Sequence, residues 1–145
     1  MKIQKLVYYA HGWYLALTGK PLINEQVEAW KFGPVISTLY HEMKDFSDRP
    51  ITKKFRSARV LPDGTAEWRI PIIGDNSDPD HKVRDVLDRV WKVYGRYTAV
   101  QLSNLAHENG SPWDTVYKRY QGKIPKHTDI PTEEIEKYFR SKAKR

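Results

Sequence analysis

Apolar residues at helical spacing constrain this chain more than any other feature of its sequence. Ile3, Leu6, Val7, Ala10, Trp13, Tyr14 and Leu17 recur at intervals of three, four and seven, the pattern of a helix with one buried face. Gly19, Lys20 and Pro21 end it. Val83, Val86, Leu87, Val90, Trp91 and Tyr94 form a second stripe that stops at Gly95. Thr98 is placed to cap a third helix with Leu102, Leu105 and Ala106 inward, closed by Asn109 and Gly110. Ser111 followed by Pro112 is a strong start signal, an N-cap hydroxyl and then proline in the first turn. Trp113, Val116, Tyr117 and Tyr120 continue from it, and Ile135, Tyr138 and Phe139 mark a last helix over 132–140.

Between the first two stripes the character changes. Residues 22–32 read as extended or irregular, and Pro34 is placed to open a helix that presents Val35, Leu39, Met43 and Phe46 on one face. Residues 57–73 read as two short strands about the turn signal Pro62-Asp63-Gly64, with Trp68 facing inward together with Ile70 and Ile72. Asp78-Pro79 is a further helix start. The expected fold is mainly α, a single helical domain of about six helices with one small β-hairpin. It covers residues 1–140, with a basic tail at 141–145 that folding does not require.

Composition narrows the function. The 145 residues suit one domain. Five Trp and nine Tyr in so charged a chain argue for a packed core rather than disorder. There is no cysteine, hence no disulfide, thiolate nucleophile or thiolate metal site. The five histidines lack zinc-site spacing, and neither a glycine-rich phosphate loop nor a nucleophile elbow is present. No enzyme, metal or cofactor is expected. The N-terminal stretch is too polar for a signal peptide, and no apolar run approaches the roughly 20 residues that span a bilayer, so a cytoplasmic chain without a membrane partner is expected. The net charge of +7 is spread along the chain and leaves nucleic-acid binding as the alternative function. Residues 98–120 would form its helix-turn-helix, presenting Asp114, Thr115, Lys118 and Arg119.

Four segments, in order, carry a resemblance. They are Lys2–Gly12 (KIQKLVYYAHG), Glu28–Val35 (EAWKFGPV), Leu102–His107 (LSNLAH) and Ser111-Pro112-Trp113, with Ile135–Phe139 closing the series. Together they resemble the signature of the Panacea-domain family, which includes SocA-like antitoxins and phage-associated proteins of the GepA type. The resemblance implies a helical antitoxin that neutralises a cognate protein toxin by direct binding. One type in the family delivers its toxin to a ClpXP-type protease. Promoter autoregulation through operator DNA fits the alternative reading. The family's capping residue before the first motif has no counterpart ahead of Lys2, so an uncapped first turn is expected.

A binding protein needs exposed anchors, and Trp, Tyr and Arg dominate such patches. Trp13, Trp91 and Trp113 fall on helical stripes and are expected in the core. Trp30, Gly33 and Pro34 read as a structural corner, with Trp30 set against Trp13 or Tyr14. Tyr8, His11, Lys31 and Phe32 lie off or at the edge of the stripes, and they are the expected toxin-binding residues.

Overall fold

The computed structural model of the chain describes residues 1–47, 49–52, 54–70 and 81–143. Helix α1 (Lys2–Thr18) runs through the middle of the fold. It is flanked by α3 (Lys82–Tyr94), α4 (Ala99–Ala106), α6 (Thr132–Ala143) and a small sheet. Because neighbours cover it on several sides, α1 buries more than one stripe. Gln4, Lys5, Tyr8, Tyr9, Ala10, His11, Gly12 and Leu15 are buried, whereas Ile3 and Leu17 are exposed. The helical period is as expected, but the buried face is rotated and includes polar residues. Its first turn has no side-chain cap.

Gly12 is where α6 approaches most closely. A Cβ there would stand 2.2 Å from the Phe139 ring, so glycine is required by space. Phe139 then meets Tyr8, Tyr9, Trp13 and Tyr138 edge-on, with ring centroids 5.2–6.0 Å apart, the favoured aromatic geometry. Tyr9 stacks on Tyr94 of α3 at 4.3 Å. Helix α6 continues to Ala143, past the expected end at residue 140, and Lys142 forms an ion pair with Glu108 at 2.5 Å.

Three strands form a sheet in the order β2-β1-β5. β1 (Val27–Trp30) and β2 (Gly33–Ile36) are an antiparallel hairpin with Trp30 opposite Gly33, and β5 (Asp129–Ile130) pairs along the other edge of β1. This hairpin corrects the expectation that Pro34 opens a helix. Pro34 lies in β2, and α2 (Ser37–Met43) starts three residues later, followed by a 3-10 turn to Phe46. Proline is tolerated because β2 is an edge strand, where a missing N–H costs little.

The second hairpin, β3 (Ser57–Val60) and β4 (Ala66–Arg69), is the expected one around Pro62-Asp63-Gly64. Its side chains do not face inward. Trp68 is 65% exposed, and Val60 and Ile70 are exposed with it; Ile72 and Asp78-Pro79 lie outside the described residues. Trp91 is also corrected, being 64% exposed with the Lys2 amine 6.0 Å from its ring. The buried face of α3 is Val86 and Val90.

The helix caps agree with the sequence. The Thr98 hydroxyl accepts from the Gln101 amide, and the Thr98 amide donates to the Gln101 side-chain oxygen at 2.8 Å, a reciprocal capping box. In α4 the buried residues are Leu102, Ser103 and Ala106, and Leu105 is exposed. In α5 (Pro112–Arg119) Trp113 and Val116 are buried, while Tyr117 and Tyr120 are exposed. Among the described residues no helix is long and apolar enough to cross a membrane, and no cluster of metal-ligating side chains is present.

Candidate functional site

Lys31 and Phe32 form the two-residue tip of the β1–β2 hairpin. Neither takes a positive φ; Gly33 absorbs the reversal at φ +95°, a conformation that side chains disfavour. A Cβ on Gly33 would also stand 2.8 Å from the Lys5 Nζ and 3.2 Å from the His107 Cε1. Both backbone and space therefore demand glycine here.

The stem of this hairpin is held by side chains from three helices. Gln4 donates to the Ile36 carbonyl and accepts from the Ile36 amide, both at 3.1 Å, so it caps the outer edge of β2 as another strand would. Lys5, 1% exposed, donates from Nζ to the Pro34 carbonyl at 2.8 Å. It has no carboxylate partner among the described residues. Burial lowers its pKa to about 7, because desolvation disfavours the charged amine. On α4 the Ser103 hydroxyl donates to the Phe32 carbonyl at 3.1 Å. His107 Nδ1 lies 2.6 Å from the Ser103 carbonyl, which assigns the proton to that nitrogen.

Ser111 joins the last two parts of this frame. Its hydroxyl donates to the Ala106 carbonyl at the end of α4 and accepts from the Asp114 amide at the start of α5. That places Trp113, whose indole N–H donates to the Trp30 carbonyl at 2.7 Å. Trp30 itself rests against Tyr40 of α2 at 4.7 Å and donates to Glu28 at 2.8 Å, not against Trp13 or Tyr14 as expected. The sequence segments KIQK, EAWKFGP, LSNLAH and SPW thus meet at one place. Their shared product is a rigid stem with an exposed tip.

Of the four residues expected to bind a toxin, the structure brings two together at the surface. Lys31 and Phe32 are adjacent at the tip, with Phe32 64% exposed and the Lys31 amine 5.5 Å from its ring. Tyr8 and His11 are corrected: both are buried on α1. Tyr8 packs on Phe139, and His11 Nδ1 accepts from the Ile23 amide at 3.4 Å. Burial lowers the His11 pKa, which favours the neutral acceptor. Enclosed in this way, the two side chains offer a partner no surface.

Sequence reasoning misses a groove beside the tip. It encloses about 960 Å³ between β1, α4, α5 and the segment 122–127. Trp113 and Tyr117, stacked at 4.9 Å, line it with Ile124 and Pro125. Lys31, Lys123 and Lys126 stand along it, and His127 lies 3.3 Å from Glu28. The sequence gives no advance signal of it, because Tyr117 reads as part of the α5 stripe. On the same helix, the cations expected to contact DNA are already paired. Lys118 binds Asp114 at 2.7 Å, and Arg119 binds Glu134 at 2.5 Å.

Comparison with known proteins agrees with this convergence of motifs. Residues 3–114 match the family model described as antitoxin SocA-like, Panacea domain. The chain is 34% identical over 121 residues to Antitoxin SocA of Caulobacter vibrioides (strain NA1000 / CB15N), an alignment covering 80% of this chain and 58% of that protein. The chain thus spans under two thirds of that relative's length. No solved structure matches it. With most of its length matched, the hairpin clamp included, the chain belongs to the SocA-like antitoxin, Panacea-domain family.

Proposed function

We propose that this chain is an antitoxin, a binding module rather than an enzyme, which neutralises a cognate protein toxin by direct contact at the Lys31–Phe32 tip. One observation carries the reading. Buried side chains from α1, α4 and α5 fix the backbone at Trp30, Phe32, Pro34 and Ile36, and the chain then exposes a phenylalanine at the apex. A preorganised loop presenting an aromatic loses little entropy on binding and suits an interface anchor. The DNA alternative is less well supported, because the cations of α5 already have carboxylate partners.

The test is co-expression with the toxic product of a neighbouring gene. The wild-type chain restores growth. Lys31→Ala combined with Phe32→Ala keeps the melting temperature and loses rescue, with binding about 30-fold weaker, the scale of an interface anchor of about 2 kcal/mol. Full rescue by that variant overturns the assignment of the tip. In the same cells, toxin half-life separates sequestration from delivery to a ClpXP-type protease.

A further inference from the structure

We infer that the groove beside the tip takes an acidic, extended peptide segment bearing one aromatic or large apolar side chain. This deepens the antitoxin reading and rests on it for the identity of the partner, but the groove's chemistry stands on its own observations.

Volume admits an occupant much larger than an ion. About 960 Å³ lies at the upper end of pockets built for drug-sized ligands, so several residues of a chain fit. The floor supplies the anchor site. Trp113 is fixed by its bond to the Trp30 carbonyl and by His107, whose ring meets it at 4.0 Å, and Tyr117 stacks on it and stays exposed. A rigid aromatic floor with an open side receives an aromatic or aliphatic side chain at little cost in order.

The rim decides the sign of the occupant's charge. Lys31, Lys123 and Lys126 have no carboxylate partner among the described residues, in contrast to Lys118, Arg119, Arg140 and Lys142. Three unpaired amines around one groove attract carboxylates and repel a basic chain. Glu28 then separates an acidic peptide from a nucleic acid. Its carboxylate lines the same groove, bonded to Trp30 and facing His127. A phosphate set against that carboxylate is repelled, whereas a peptide can place a backbone N–H or a neutral side chain opposite it. Segment 122–127, with Lys123 and Lys126, lies beyond the family-matched residues 3–114.

The probe is a fluorescein-labelled peptide with one tryptophan between four glutamates on each side, titrated by anisotropy with the full chain. Its comparisons are the same peptide with lysines for glutamates, the same with glycine for tryptophan, and a twelve-nucleotide oligothymidine. The acidic peptide binds at least tenfold more tightly than the lysine and glycine peptides, and weakens several-fold between 0.05 and 0.3 M salt. Lys123→Glu with Lys126→Glu lowers its affinity at least tenfold with the melting temperature kept. Tyr117→Ala, an exposed position, lowers it several-fold. Equal binding of acidic and basic peptides overturns the inference, as does tighter binding of the oligothymidine or indifference to the double lysine variant. Growth rescue keeps the two readings apart. If the wild type rescues and Lys123→Glu/Lys126→Glu rescues equally, the groove assignment falls and the antitoxin reading stands. If the wild type neutralises no neighbouring toxin while the peptide series behaves as expected, the antitoxin reading falls and the groove chemistry stands.

Discussion

The β1–β2 and β3–β4 hairpins have the same connectivity and four-residue strands, yet they are stabilised in opposite ways. β3–β4 is a local structure. Its turn is held by Asp63, which accepts from both the amide and the hydroxyl of Thr65. Its alternating face of Ala58, Val60, Ala66 and Trp68 is left exposed. β1–β2 lacks such a turn signal, and its strands carry Pro34 and Glu28. It is nonetheless buried along Val27, Ala29, Val35 and Ile36, because Gln4, Lys5, Ser103 and Trp113 bond to its backbone. An isolated two-stranded ribbon is marginal in water. The difference teaches that a hairpin's rigidity here comes from what reaches it, not from its own turn.

The two tip glycines test this most severely. Gly33 and Gly64 both have positive φ, +95° and +81°. A methyl group added at Gly64 would have nothing within 4 Å, whereas one added at Gly33 meets the Lys5 amine at 2.8 Å. Gly33→Ala therefore costs backbone strain plus displacement of a buried amine, about 2–4 kcal/mol. Gly64→Ala costs about 1 kcal/mol from strain alone. Urea denaturation of the two variants checks this, and equal losses would erase the distinction between the hairpins.

The same contrast explains what the sequence discloses. Signals that act within a few residues are legible: the Ser111-Pro112 start, the Thr98 cap and the Pro62-Asp63-Gly64 turn. So is the family, because its motifs are local strings. What is not legible depends on distant partners. Gln4 and Lys5 read as the polar side of α1, and nothing near them announces that their acceptors lie about thirty residues away. Pro34 fits a helix start or an edge strand equally well, and only Gln4 at Ile36 and β1 alongside decide for the strand. Tyr8 and His11 read as surface residues because α1 is covered on more sides than one stripe can serve. Trp68 and Trp91 read as core, since periodicity shows which residues share a face and not whether anything covers it. The tip at Lys31 and Phe32 is visible as aromatic and cationic residues that packing does not need. The groove is invisible, because it is made by bringing segment 122–127 against α5.

Lys5 gives the clamp a pH signature that β3–β4 lacks. Its pKa is about 7 in the folded chain and ordinary, near 10.5, when unfolded. Between those values the unfolded state holds the extra proton, so stability rises with pH through this window and the penalty is complete below it. The tyrosines with raised pKa, Tyr8, Tyr9, Tyr94 and Tyr138, act the other way, but only above about pH 10, where unfolded tyrosine ionises. His11 acts below about pH 6.5, where the unfolded imidazole takes a proton that the buried one refuses. From pH 7.5 to 9.5 the wild type gains about 2 kcal/mol, and Lys5→Met abolishes the rise. An unchanged slope in that variant would show that the amine is solvated.

The two tryptophans that face opposite fates give the smallest and most local test. Trp113→Phe keeps an aromatic ring in the core but removes the N–H that satisfies the Trp30 carbonyl. Removing one donor from a buried carbonyl costs about 1 kcal/mol. The loss should be accompanied by faster amide exchange at the Lys31–Phe32 tip, because that bond anchors the last residue of β1. Trp68→Phe changes an exposed side chain on the outlying hairpin, and the expected change is within about 0.5 kcal/mol. If Trp68→Phe proves the costlier of the two, then β3–β4 has a packing partner and the contrast between the hairpins fails. If both are neutral but exchange at the tip still accelerates in Trp113→Phe, the bond orders the tip without stabilising the fold, which is the role a presenting scaffold requires.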